Sequence, residues 1–135
     1  MEFLQSKHKY LKIESSWTLK NILAGNTDHI KMVIDADALP IFVQLLRDEN
    51  STDEIREHTI WAIKNISSNK MFCEMVFHSG ALKFLLYILN RLDDDSLLIL
   101  TLARIICNLC QIEVSRRNWW YWMAPTLVTL SWMIV

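Results

Sequence analysis

A seven-residue pattern returns along this chain at a fixed period. Ser16-Trp17-Thr18-Leu19-Lys20-Asn21-Ile22 is matched by Ile60-Trp61-Ala62-Ile63-Lys64-Asn65-Ile66, and then by Ala103-Arg104-Ile105-Ile106-Cys107-Asn108-Leu109. Asn21 and Asn65 are 44 residues apart, and Asn65 and Asn108 are 43 apart. A second block repeats in the same phase. Asp37-Ala38-Leu39-Pro40-Ile41-Phe42 stands against Gly80-Ala81-Leu82-Lys83-Phe84-Leu85, and Met123-Ala124-Pro125-Thr126-Leu127 falls one period further on. Self-similarity at this period predicts stacked supersecondary units, none of which buries its apolar face alone.

Composition decides what those units are made of. The 135 residues include two glycines and two prolines, where average usage gives about nine and about six or seven. Gly25 and Gly80 stand far apart, which excludes a glycine-rich phosphate cradle. Sandwiches and barrels need turn residues every 8–12 positions or so, and these are missing. An all-α fold remains.

Each period reads as three helices. A short one spans 28–35 and 70–78, with Ile30, Val33, Ile34 and Met71, Phe72, Met75, Val76 as its apolar residues. A second follows without a loop at 38–47 and 81–90, carrying Leu39, Phe42, Leu45, Leu46 and Leu82, Leu85, Leu86, Leu89. The third is longest: 13–24, 52–67 and 95–111. Gly80 falls where the first helix turns sharply into the second, a place where positive φ or close backbone approach is wanted. Asp37 occupies the equivalent junction. Ser51-Thr52-Asp53-Glu54 reads as an N-terminal cap with acid in the first turn.

The period is the length of armadillo or HEAT units. The chain divides into a short N-terminal segment (1–10), the last helix of a partial repeat (11–25), full repeats at 26–68 and 69–112, and a partial repeat at 113–135. Natural solenoids end in polar capping repeats, whereas this array ends in Trp119-Trp120-Tyr121-Trp122 and an apolar stretch. The expectation is part of a longer solenoid or a shortened descendant of one. Trp119–Val135 is 17 residues without charge, at the lower limit for a membrane span. Pro125, two threonines, a serine and the lack of a cationic flank argue against that use. Fourteen Lys+Arg against 15 Asp+Glu give a net charge of −1, so no bulk attraction to nucleic acid or anionic membrane is expected. Three cysteines and no apolar leader point to a reducing compartment.

Trp17 and Asn21 are four apart, as are Trp61 and Asn65, so each pair shares a helix face. The core stripes of the same helices belong to Leu19, Ile22, Leu23 and to Ile60, Ile63, Ile66. Tryptophan and asparagine therefore look onto the surface lined by successive third helices. Indole walls can hold the aliphatic stems of lysine or arginine through cation–π attraction of about 0.5–2 kcal/mol. An asparagine amide can pair with the N–H and C=O of an extended peptide. A single such pair reads as core filling beside a surface amide. Two pairs at the repeat offset, with Asn108 in phase, read as a peptide-binding ladder.

These segments, with Val33-Ile34-Asp35-Ala36-Asp37-Ala38-Leu39-Pro40 and Asn108-Leu109-Cys110, resemble armadillo repeats of the importin α family over about residues 11–130. The resemblance implies a right-handed superhelical solenoid of about two full repeats plus partial flanking repeats. It implies a nuclear import adaptor present in cytoplasm and nucleus. Its ligands would be lysine- or arginine-rich nuclear localisation signals, and it would carry no cofactor and no enzymatic activity. The likeness is to the second to fourth repeats, which hold the family's major signal-binding site. Importin β recruitment is not expected from residues 1–10, which are too short for the family's basic N-terminal segment.

Carried over residue by residue, the resemblance places Trp17, Asn21, Gly25, Trp61, Asn65, Asn69, Arg104 and Asn108 in the peptide site. Asn69 stands where the family has the aspartate that pairs with the signal's principal lysine. Gly25, whose carbonyl would help hold that lysine, is kept, while Ile30 replaces a hydroxyl residue nearby. Losing the carboxylate removes a charge-assisted bond of about 1.5–3 kcal/mol. Arg104 replaces the third tryptophan and sets a cation in a groove meant for cations. Weakened or altered signal binding is the expectation. The alternative is a shortened armadillo scaffold that has lost signal binding and serves another protein–protein interaction.

No other constellation carries chemistry. Cys107-x-x-Cys110 lies within a helix and has no second pair, so it reads as a buried, structural pair. His8, His29, His58 and His78 do not cluster at i, i+4, and no metal or catalytic set is readable. Arg116-Arg117 beside Trp119-Trp120 is only a faint likeness to a nucleic-acid stacking patch. Asp93-Asp94-Asp95 reads as a loop and helix start.

Overall fold

The computed structural model describes residues 1–92 and 96–114. The apolar stretch Trp119–Val135, the third copy at Met123–Leu127, Arg116-Arg117 and Asp93–Asp95 all lie outside the described residues. Within them the chain is helical throughout. A 3-10 turn at Glu2–Gln5 precedes α1 (Lys9–Leu23), α2 (Thr27–Asp35), α3 (Ala38–Arg47), α4 (Asp53–Ser67), α5 (Lys70–His78), α6 (Ala81–Leu89) and α7 (Ser96–Val114). The long helices α1, α4 and α7 pack side by side in chain order, and α3 packs on α6 in a second row. The three-helix period is therefore real, and its copies stack as a solenoid. Among the described residues no single helix is long and apolar enough to cross a membrane.

The helix ends follow local chemistry. Asn26 caps α2 by accepting from the His29 N–H at 3.1 Å, and Thr52 caps α4 by accepting from the Ile55 N–H at 3.4 Å. Arg56 pins the turn before α4, donating to the carbonyls of Asp48 (3.2 Å) and Glu49 (3.1 Å) and to Asp53 (3.2 Å). Gly80 (φ 79°) and Asp37 (φ 55°) both adopt the left-handed conformation at the first-to-second helix junctions. That residue turns α5 into α6 through 83° without a loop.

One continuous core runs through both rows. Ile60, Ile63 and Ile66 form the wholly buried stripe of α4, and Leu102, Ile105 and Leu109 do the same on α7. Burial of each such side chain stabilises by about 1.5–3 kcal/mol. Three features depart from the sequence reading. α1 starts at Lys9, one turn before Ile13. Leu4 is buried against the array, so the first residues contribute to the core. Met71 and Met75 are exposed, and α5 buries Phe72, Cys73 and Val76 instead. At the 43-residue offset Cys73 and Val76 match Ile30 and Val33 of α2, while Met75 matches exposed Met32. The stacking partner α7 selects that stripe, and the methionines lie one position off it.

Candidate peptide-binding face

The first pair lies on the last two turns of α1. Trp17 is 50% exposed, which for an indole is a large area left in water, and Asn21 is exposed one turn later. Among the described residues the Asn21 amide has no side-chain partner. α1 holds them outward because Leu23 is buried on the opposite side and Leu19 and Ile22 are half-buried. Ser16, beside Trp17, is tied down from below. Its hydroxyl donates to the Ile13 carbonyl at 2.8 Å, which leaves a lone pair for His58 Nδ1–H on α4 at 3.0 Å. His58 is buried. Burial, and then the positive charge of Lys20, push its pKa below the ordinary value, against the opposing pull of Glu54 and Glu57.

The second pair differs. Trp61 and Asn65 are half-buried on α4. The Lys64 ammonium lies over the Trp61 ring, 5.4 Å from its centroid, and donates to Asn65 Oδ1 at 3.1 Å. Sequence spacing put Lys64 three residues after Trp61 but gave no sign that it folds back over the ring. The third position is Arg104, exposed on α7, with Asn108 one turn on. Asn108 donates to Ser67 Oγ (3.3 Å) and Ser68 Oγ (3.4 Å) at the end of α4.

Gly25 follows the first pair by four residues, and Asn69 follows the second by the same spacing. Gly25 N–H donates to the Ile22 carbonyl at 3.0 Å as α1 closes. A Cβ there would lie 2.1 Å from His29 Nδ1, so any larger residue displaces that ring. Asn69 caps α5 by accepting from the Met71 N–H at 3.0 Å, and its amide donates to Thr27 Oγ1 at 3.1 Å. Thr27, which the sequence reading did not single out, thereby joins α2 to α5 beside Gly25. Ile30 is buried in the core.

The face thus combines indole rings, primary amides and three cations: Lys20, Lys64 and Arg104. The ion pairs among the described residues lie elsewhere: Lys31–Asp35 at 2.5 Å, Arg56–Asp53 at 3.2 Å and His78–Glu74 at 3.8 Å. No group of His, Cys, Asp or Glu among the described residues is placed to hold a metal ion. Burial pushes the Cys73 thiol up, which disfavours the reactive thiolate, whereas Cys107 is exposed and Cys110 half-buried, so the two are not the buried pair their spacing suggested.

The family model for the armadillo/beta-catenin-like repeat matches residues 26–68. The chain is 39% identical over 92 residues to importin subunit alpha-2 of Arabidopsis thaliana, covering 67% of this chain and 17% of that protein. It is 38% identical over 90 residues to importin subunit alpha-1b of Oryza sativa subsp. japonica, covering 65% and 16%. It therefore spans about a sixth of the length of these curated relatives. Among solved structures it is similar to computationally designed armadillo repeat proteins for modular peptide recognition. There the TM-score is 0.70 and the identity 26%, covering 79% of this chain and 44% of that one. A designed armadillo repeat protein with 23% identity and a TM-score of 0.71, covering 80% and 44%, shares the fold. The chain is an importin-α-like armadillo-repeat protein, an all-α solenoid.

Proposed function

We propose that this chain acts in the manner of a nuclear import adaptor, moving between cytoplasm and nucleus and binding a lysine- or arginine-rich localisation signal as an extended peptide. The ladder of Trp17, Asn21, Trp61, Asn65 and Asn108 would receive the peptide, with Gly25, Asn69 and Arg104 at its margins. The observation that carries this reading is the first pair, an exposed indole one turn from an amide with no side-chain partner among the described residues. Neighbouring helices pack about 8–10 Å apart and an extended chain rises about 3.3 Å per residue. One rung of the ladder then corresponds to about two to three peptide residues. Aliphatic lysine stems would lie against the indoles, and the asparagines would pair with the peptide backbone. The relatives' names point to the same role, and the designed neighbours are described as recognising peptides.

Isothermal titration of a lysine-rich signal peptide tests it, with Trp17→Ala/Asn21→Ala as the control variant. Saturable binding by the parent chain and its loss in the variant is the expected result. Absent binding, or binding that ignores the substitutions, overturns it and leaves the scaffold alternative.

A further inference from the structure

Lys64 sits where a ligand's lysine would be placed. Its ammonium is over the Trp61 ring and bonded to Asn65 Oδ1, so both recognition groups of the second rung already hold a cation belonging to the chain itself. The first rung is different: among the described residues its equivalent cation, Lys20, neither lies over the Trp17 ring nor bonds to Asn21. One repeat beyond the second rung stands Arg104, exposed on α7. Among the described residues neither Lys64 nor Arg104 has a carboxylate partner. Glu57, two turns before Lys64 on the same helix, is exposed and makes no ion pair with it.

We infer that the face recognises a peptide of mixed charge, with a basic residue at Trp17 and Asn21 and an acidic residue at Lys64 and Arg104. This rests on the ladder reading above and specifies the ligand class of that same surface. A lysine arriving at the second rung must displace a like charge from Trp61 and Asn65. A carboxylate meets an ammonium with donors to spare and a guanidinium able to donate to both its oxygens. Lys64 is then the specificity determinant of the second rung. With about two to three extended residues per rung, the acid lies about two or three residues from the lysine.

Fluorescence anisotropy with labelled peptides separates the cases. The probes are a lysine-rich peptide, peptides with lysine and glutamate about two or three residues apart in both chain orders, and the same peptides with glutamine for glutamate. The expected result is about tenfold tighter binding of one lysine/glutamate peptide than of the other probes. Lys64→Glu/Arg104→Glu should reverse that order in favour of the lysine-rich peptide, and Lys64→Gln should erase most of the preference. Helicity measured by circular dichroism confirms that the variants fold. Equal affinities in the parent chain, or an order that the charge changes leave alone, overturn the inference. Where Trp17→Ala/Asn21→Ala abolishes binding but the charge changes do nothing, only this inference fails. Where that variant also changes nothing, or no probe binds at all, the ladder reading fails with it.

Discussion

Ser16 Oγ and His58 Nδ1, 42 residues apart in the chain, meet at 3.0 Å in the buried seam between α1 and α4. This contact sets the first rung of the ladder against the second, because Trp17 adjoins Ser16 and Trp61 lies one turn beyond His58. It also makes the seam sensitive to pH. Burial and the charge of Lys20 lower the His58 pKa from its ordinary 6.5, so the unfolded chain takes up the proton first. Stability is full above about pH 6.5 and falls as pH drops through the lower folded-state value. Urea midpoints measured between pH 8 and pH 5 should decline toward acid. His58→Gln should flatten that decline.

The core and the ladder should respond oppositely to truncation. Ile63 is completely buried, and Ile63→Ala should cost about 2–5 kcal/mol. Trp17 is half in water, and Trp17→Ala should change stability by about 0.5 kcal/mol or less. Thermal unfolding followed by circular dichroism reads both. A large cost at Trp17 would mean that the indole packs into the fold.

The two left-handed junctions should show glycine and aspartate as unequal solutions to one problem. Nothing lies within 4 Å of a Cβ built on Gly80, so Gly80→Ala is opposed by its φ of 79° alone. It should cost about 1–2 kcal/mol, and Asp37→Gly should recover up to about 1 kcal/mol. Denaturant midpoints of the two variants check the pair of signs.

Asn69 combines a cap with a position beside the first rung. Asn69→Ala should cost about 1 kcal/mol through loss of the bond from Met71 N–H. Asn69→Asp keeps an acceptor at the start of α5 and adds a carboxylate next to Gly25. Affinity for a lysine-rich peptide should then rise about tenfold, as an anisotropy titration would show.

Much of the fold was legible because the period repeats both the core stripe and the junctions. Ile60, Ile63 and Ile66 could be assigned to the core, and Gly80 to a sharp junction, from spacing alone; that positive φ rather than close backbone approach selects the glycine is seen only in the fold. Met71 and Met75 could not be assigned correctly. Phe72, Cys73 and Val76 offer a competing stripe one position away, and contact with α7 decides between them. Leu4 was missed since it has no counterpart at the repeat offset. On the ladder, spacing put tryptophan and asparagine on one face, but what each side chain touches is tertiary. Lys64 over Trp61 depends on the path of a long, flexible side chain. The Asn69–Thr27 bond joins helices whose juxtaposition no local pattern encodes.

A peptide lying against Trp17 changes the surroundings of its indole N–H, which reports on the proposed site directly. With uniformly 15N-labelled protein, a lysine-rich peptide should shift the Trp17 indole signal along a saturable curve, assigned by its disappearance in Trp17→Phe. Peptide binding that leaves that signal unmoved, or no binding at all, would contradict the account.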